Sequence, residues 1–134
     1  MRVLATSRLA LGLPGEQVWA VAPLGCEPAV DMFVDRARLA SSDFRVDDTS
    51  RAQFGRICEQ LDGLPLAIEL AAAWTRVLSP AQIADRLDDA SALLAAAGHR
   101  ASPRQQTMEA TVAWSCWLLV PDAQQLFARL SVFA

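Results

Sequence analysis

Few residues in this 134-residue sequence have the type and spacing to do chemistry. All twelve basic residues are arginine, and a chain without lysine cannot hold the phosphate-binding loop G-x-x-x-x-G-K-[S/T]. Arg8 has a suggestive setting, because it follows Val3-Leu4-Ala5-Thr6-Ser7, a short apolar run with a polar end. Such a run reads as a buried parallel strand, and ligands of open α/β sheets bind beyond that edge. A solvated loop arginine explains it equally well. Glu69 stands among apolar residues, and pointing outward or pairing with an arginine is its simpler reading. His99, the only histidine, lies in Gly98-His99-Arg100-Ala101, which reads as a linker, and it is taken as a bystander. Cys26, Cys58 and Cys116 are odd in number and far apart, so they read as free thiols rather than a disulfide framework or zinc site. No nucleophile–base set, metal spacing or apolar carboxylate pair emerges. No catalytic or metal-binding residue is therefore assigned.

The other suggestive stretch is Asp62-Gly63-Leu64-Pro65-Leu66-Ala67-Ile68-Glu69-Leu70. Gly63 can end a helix in the left-handed conformation, and Pro65 can open the next one within its first turn. The corner so formed explains its own shape without any ligand.

Helices must position these groups. Val30, Phe33, Val34 and Ala37 recur at i, i+3, i+4, i+7 and predict a helix over 28–40. Phe54, Ile57, Cys58 and Leu61 do the same for 51–61, with Asp48, Thr49 or Ser50 as its cap. A third helix, 64–77, presents Leu66, Ala67, Leu70, Ala71 and Trp74. Ser79-Pro80 opens a helix to 87, which Asp88-Asp89 interrupts before a short helix over 90–97. Ser102-Pro103-Arg104-Gln105 opens a helix to about 119, and Pro121 starts a last one. Before all of these, residues 9–27 hold Gly12, Pro14, Gly15, Pro23 and Gly25, which is loop chemistry, with a short edge strand over 17–21.

Composition bounds the function. Hydrophobic residues at 53% and charged residues at 20% describe a globular chain of one ordinary domain. A net charge of −3 gives no basic face for nucleic acid. The longest apolar run, 64–74, is too short for a bilayer, and no signal peptide is visible, so a cytoplasmic location is expected.

Several segments resemble one family. They are Val3-Leu4-Ala5-Thr6-Ser7-Arg8, Leu11-Gly12-Leu13-Pro14-Gly15-Glu16, and Ile57-Cys58-Glu59-Gln60-Leu61-Asp62-Gly63-Leu64-Pro65-Leu66-Ala67. Arg104-Gln105-Gln106-Thr107-Met108-Glu109-Ala110-Thr111-Val112-Ala113-Trp114-Ser115 continues the match in order. Together they are similar to the NB-ARC-like STAND ATPases of bacterial LuxR-type and AfsR-type transcriptional regulators. The resemblance implies a mainly α chain: a helical lid bundle, preceded by one orphan strand of an α/β P-loop domain and followed by the first helices of a winged-helix domain. The implied division is 1–26, 27–98 and 99–134.

It also implies nucleotide-binding roles for Arg8, Gly63, Leu64 and Pro65. Arg8 would approach the γ-phosphate, and Pro65 would pack on the adenine of ADP or ATP. The family's phosphate-binding loop and magnesium-binding strand would lie before Met1, and its nucleotide-contacting histidine after Ala134. No hydrolysis and no tight nucleotide binding are therefore expected of this chain alone. Its partner would be itself or a full-length paralogue, with no direct nucleic-acid contact and no membrane. The alternative is a non-enzymatic helical interaction module, or a truncated, decayed gene product.

Overall fold

A computed structural model describes residues 3–7, 9–96 and 103–133. The described chain is mainly helical: α1 (Cys26–Ala40), α2 (Asp48–Gln60), α3 (Pro65–Ala73), α4 (Pro80–Ala96), α5 (Pro103–Trp117) and α6 (Pro121–Leu130). Short 3₁₀ turns over Trp74–Arg76 and Ser131–Phe133 follow α3 and α6. Among the described residues there is no strand, and the expected strands near the N-terminus and over 17–21 do not form. Strands need ladder partners, and no other described segment is extended and paired. His99 and its linker lie outside the described residues.

The core lies among α1 to α5. Ala29, Val30, Phe33, Val34 and Ala37 of α1 meet Phe54, Ile57, Cys58 and Leu61 around α2. Phe33 stacks on Phe54 with ring centroids 4.9 Å apart, and Phe44 from the preceding loop closes on Phe54 at 5.6 Å. α3 packs most extensively on α1. Its buried row is Ala67, Ile68, Ala71 and Ala72, whereas Leu66 is 57% exposed. The expected face is thus turned toward Ile68. The three alanines let the α1 backbone come close, and the bulk falls to Ile68.

Two boundaries differ from expectation for identifiable reasons. The cap of α2 is Asp47, not one of the next three residues. Asp47 Oδ1 accepts from the Ser50 amide at 2.7 Å, and Ser50 Oγ accepts from the Asp47 amide at 2.9 Å. Ser50 thereby completes a capping box in place of the usual Glu or Gln. α4, in turn, runs unbroken through Asp88-Asp89. Asp88 accepts hydrogen bonds from Arg56 Nη2 at 3.0 Å and Gln60 Nε2 at 2.5 Å, both on α2. An aspartate in a helix interior costs only about 0.7 kcal/mol at most, and the buried row Ile83, Ala84, Leu87, Ala90 holds the helix through it.

α5 joins the same core. Ala110, Thr111 and Trp114 are buried against α3 and α4. The Thr111 hydroxyl donates to the Thr107 carbonyl at 2.8 Å, so its burial leaves no donor unpaired. Trp74 Nε1 donates to Ser115 Oγ at 3.4 Å, and the Trp74 and Trp114 rings lie 5.9 Å apart.

Candidate functional site

The corner between α2 and α3 is built from backbone chemistry. The last turn of α2 closes with two paired bonds: the Gly63 amide donates to the Cys58 carbonyl at 3.1 Å, and the Asp62 amide to Glu59 at 3.0 Å. This is the Schellman pattern, and it places Asp62 rather than Gly63 at the left-handed capping position. Asp62 has φ +52°, and Gly63 continues at φ +62°. Asparagine and aspartate tolerate this region better than other side chains do. Asp62 is further held by Thr107 of α5, whose hydroxyl donates to the Asp62 carboxylate.

Gly63 is required for a second reason. The Leu24 amide donates to the Gly63 carbonyl at 2.9 Å, and a Cβ on Gly63 would stand 2.2 Å from the Leu24 carbonyl oxygen. The loop ahead of α1 is thus pressed onto the corner where only glycine fits. Leu64 then adopts an extended conformation as the N-cap of α3 and packs partly into the core. Pro65 takes the first helical position, where its missing amide costs nothing. Pro65 is exposed, and Leu66 beside it is exposed too.

The structure therefore brings Gly63, Leu64 and Pro65 together, with one apolar ring presented to solvent on a clamped turn. Arg8 lies outside the described residues. Residues 3–7 leading to it are exposed. Three concave surfaces lie elsewhere: about 800 Å³ along α1 around Met32, about 430 Å³ between Phe44 and Leu78, and about 320 Å³ beside Cys26. None of these three includes a corner residue. Among the described residues no three His, Cys, Asp or Glu side chains gather as a metal site requires. Glu69 forms an ion pair with Arg36 at 3.5 Å with both side chains substantially exposed.

A second organised element precedes the corner. Glu16 folds its carboxylate back over the Leu11, Gly12 and Leu13 amides, at 2.9, 2.7 and 3.2 Å. Gly12 and Gly15 take positive φ to make the turn. The Leu11 amide, with those of Leu13 and Gly12, holds the Glu16 carboxyl below the usual carboxylate range. Sequence reading found the turn from its glycines and proline but missed the carboxylate clasp. The spacing of a glutamate just after Pro-Gly is the signal for it. The Leu24 and Thr107 contacts carry no local signal, since both join residues far apart in the chain. No helix among the described residues is long and apolar enough to cross a membrane.

No protein-family model matches the chain, and no solved structure matches it. Curated relatives do. An "Uncharacterized protein" of Mycobacterium tuberculosis (strain ATCC 25618 / H37Rv) is 47% identical over 135 residues, covering 100% of this chain and 34% of the relative. A protein of the same strain named "Putative HTH-type transcriptional regulator" is 45% identical over 134 residues, covering 99% of this chain and 15% of the relative. Mycobacterium bovis (strain ATCC BAA-935 / AF2122/97) has a counterpart of that regulator with the same identity and coverage. The chain spans about a third or less of the relatives it matches, and over nearly its whole length it is homologous to a segment of proteins carrying that regulator name.

Proposed function

We propose that this chain is the lid and regulatory segment of a STAND-type signalling ATPase that regulates transcription. In this reading residues 1–26 belong to a nucleotide-binding α/β domain, 27–98 form the lid, and 99–134 begin a winged helix. The strand expected before Arg8 would form against sheet neighbours of such a domain. The observation that carries the reading is the exposed Pro65 ring on a corner fixed by Gly63 and Leu24. A flat base stacks on a rigid apolar ring at little entropic cost, because the platform is already ordered. The homology to named transcriptional regulators gives this reading its regulatory setting.

The chain alone contributes the base platform and, through Arg8, one cation for phosphate. It has no lysine loop to hold β- and γ-phosphates, so it turns over no ATP. Titration with ADP followed by amide chemical shifts tests the reading. Shifts centred on residues 63–66 at millimolar ADP, lost in Pro65→Ala, are expected. An unchanged spectrum at millimolar ADP, or ATP hydrolysis by the chain, would count against it.

A second reading has its own observation. Leu9, Trp19, Val21, Leu126 and Phe127 are all more than half exposed, which suits a helical protein-interaction module that uses no nucleotide.

A further inference from the structure

α1 and α2 run antiparallel, since Leu24 meets Gly63 at one end of the pair and Phe33 meets Phe54 near its middle. Each helix carries one cysteine. Cys26 is the first residue of α1, exposed, and one turn before buried Val30. Cys58 is buried in the last turn of α2.

Separate observations bring the two thiols together. Asp31 and Arg51 pair across the helices at 2.9 Å. Cys26 lies five residues back along α1 from Asp31, and Cys58 seven residues on along α2 from Arg51. At about 1.5 Å of rise per residue, the cysteines come level to within about 3 Å along the pair. Arg51, Gly55 and Cys58 follow i, i+4, i+7 on one face of α2, and a Cβ on Gly55 would meet open space. No α2 side chain therefore fills the edge between Arg51 and Cys58. Cys26 lines the hollow of about 320 Å³ that opens at this edge, with Val30, Arg51 and Ala52. Burial raises the Cys58 thiol to about 12, and the next contribution comes from Cys26, ahead of Glu59, its own neighbour in the chain.

We propose that Cys26 and Cys58 are a redox-modified pair, joined as a reversible disulfide when the chain meets hydrogen peroxide. The exposed Cys26 gives up its proton, and its thiolate attacks the peroxide. The O–O bond breaks, hydroxide leaves and takes up that proton, and Cys26 becomes a sulfenic acid. The Cys58 sulfur then attacks the Cys26 sulfur, its proton leaving with the displaced hydroxide as water. Two thiols and one peroxide thus give one disulfide and two waters. Burial shields Cys58 from the peroxide itself and leaves it as the resolving thiol. An S–S bond needs Cα atoms about 4.4–6.8 Å apart, so the first turn of α1 closes on α2 as the bond forms. Gly25, the N-cap, lends that turn no side-chain hydrogen bond. The movement reaches the corner, because Leu24 bonds to Gly63 and Gly63 bonds to the Cys58 carbonyl. The inference is independent of any nucleotide role.

The test adds hydrogen peroxide to the reduced chain at neutral pH, then alkylates the remaining thiols and maps peptides by mass spectrometry. A chain two hydrogens lighter is expected, with its Cys26 and Cys58 peptides joined until dithiothreitol parts them. Cys116→Ser leaves this unchanged. In Cys58→Ala, Cys26 instead stops at the sulfenic acid, which dimedone captures. In the folded chain the 26–58 product exceeds products with Cys116 about tenfold or more. In urea, where only loop length separates the pairings, the excess falls to roughly a few-fold. Oxidation of Cys26 with no joined peptide, and Cys58 still a free thiol, overturns the proposal. So does a product that links Cys26 to a second chain instead, or a 26–58 product no more selective in the folded chain than in urea, which would make it a consequence of unfolding.

Discussion

At Gly63 the backbone conformation and the crowding by Leu24 act on the same atom. A side chain there must occupy the left-handed region, at about 1–2 kcal/mol, and must also displace the Leu24 carbonyl. Gly63→Ala is therefore expected to lower stability by at least about 2 kcal/mol in urea unfolding, whereas Gly55→Ala on α2, where a Cβ meets open space, is expected to leave it unchanged or raised by a few tenths. Equal losses at the two positions would contradict this account. Two ionisable groups give further checks. Glu16 has a lowered pKa in the fold, so its clasp on the 11–13 amides is complete above the ordinary carboxylate range and is lost as pH falls through the folded value. The amide shifts of Leu11, Gly12 and Leu13 should titrate together, with a midpoint below 4.5. Cys58 behaves in the opposite sense. Burial, with minor contributions from Cys26 and Glu59, pushes its thiol up to about 12. Stability thus falls as pH rises from about 9, where an unfolded thiol ionises, toward 12. At neutral pH a disulfide reagent should modify exposed Cys26 rapidly and Cys58 only as fast as the chain opens.

Among the elements, apolar spacing marked α1 and α2 closely, because each buries one dense stripe. It marked α3 less well. Almost every α3 residue is apolar, so periodicity cannot choose a face, and the choice is made by the fit of Ala67 and Ala71 against α1. The corner was legible in Gly63 and Pro65, but the left-handed cap at Asp62 was not, since its support comes from Thr107, 45 residues on. The unbroken α4 was hidden for a similar reason. Asp88-Asp89 looks like an interruption until Arg56 and Gln60 are placed across from Asp88. These contacts are exposed, so they accommodate the aspartate without adding much stability. Asp88→Ala should cost no more than about 0.5 kcal/mol and leave the helix content unchanged. A large loss would mean that the interhelical pair, and not the buried Ile83–Leu87 row, holds α4 together.

At the scale of the molecule, one core takes in α5 together with α1–α4. Ala110, Thr111 and Trp114 of α5 are as buried as the residues of α1 and α2, and they share one apolar cluster. Local sequence cannot reveal this. The α5 stripe is diluted by Thr111 and Ser115, whose hydroxyls are satisfied within their own helix and so can face the interior. A shared core makes α5 unfold with α1–α4 rather than before them. A variant with Trp19 and Trp117 replaced by phenylalanine keeps only Trp74 and Trp114, the pair packed between the 3₁₀ turn after α3 and α5. Its fluorescence in urea should follow the same transition as the far-ultraviolet circular dichroism of the whole chain. Trp114→Ala should move both transitions together to lower urea, with a loss of about 3–5 kcal/mol in stability, the range for a large aromatic removed from a packed site. Fluorescence that changes well before the helical signal would instead make α5 a separately docked element, and the corner would then be free to lose its Thr107 tie without unfolding the lid.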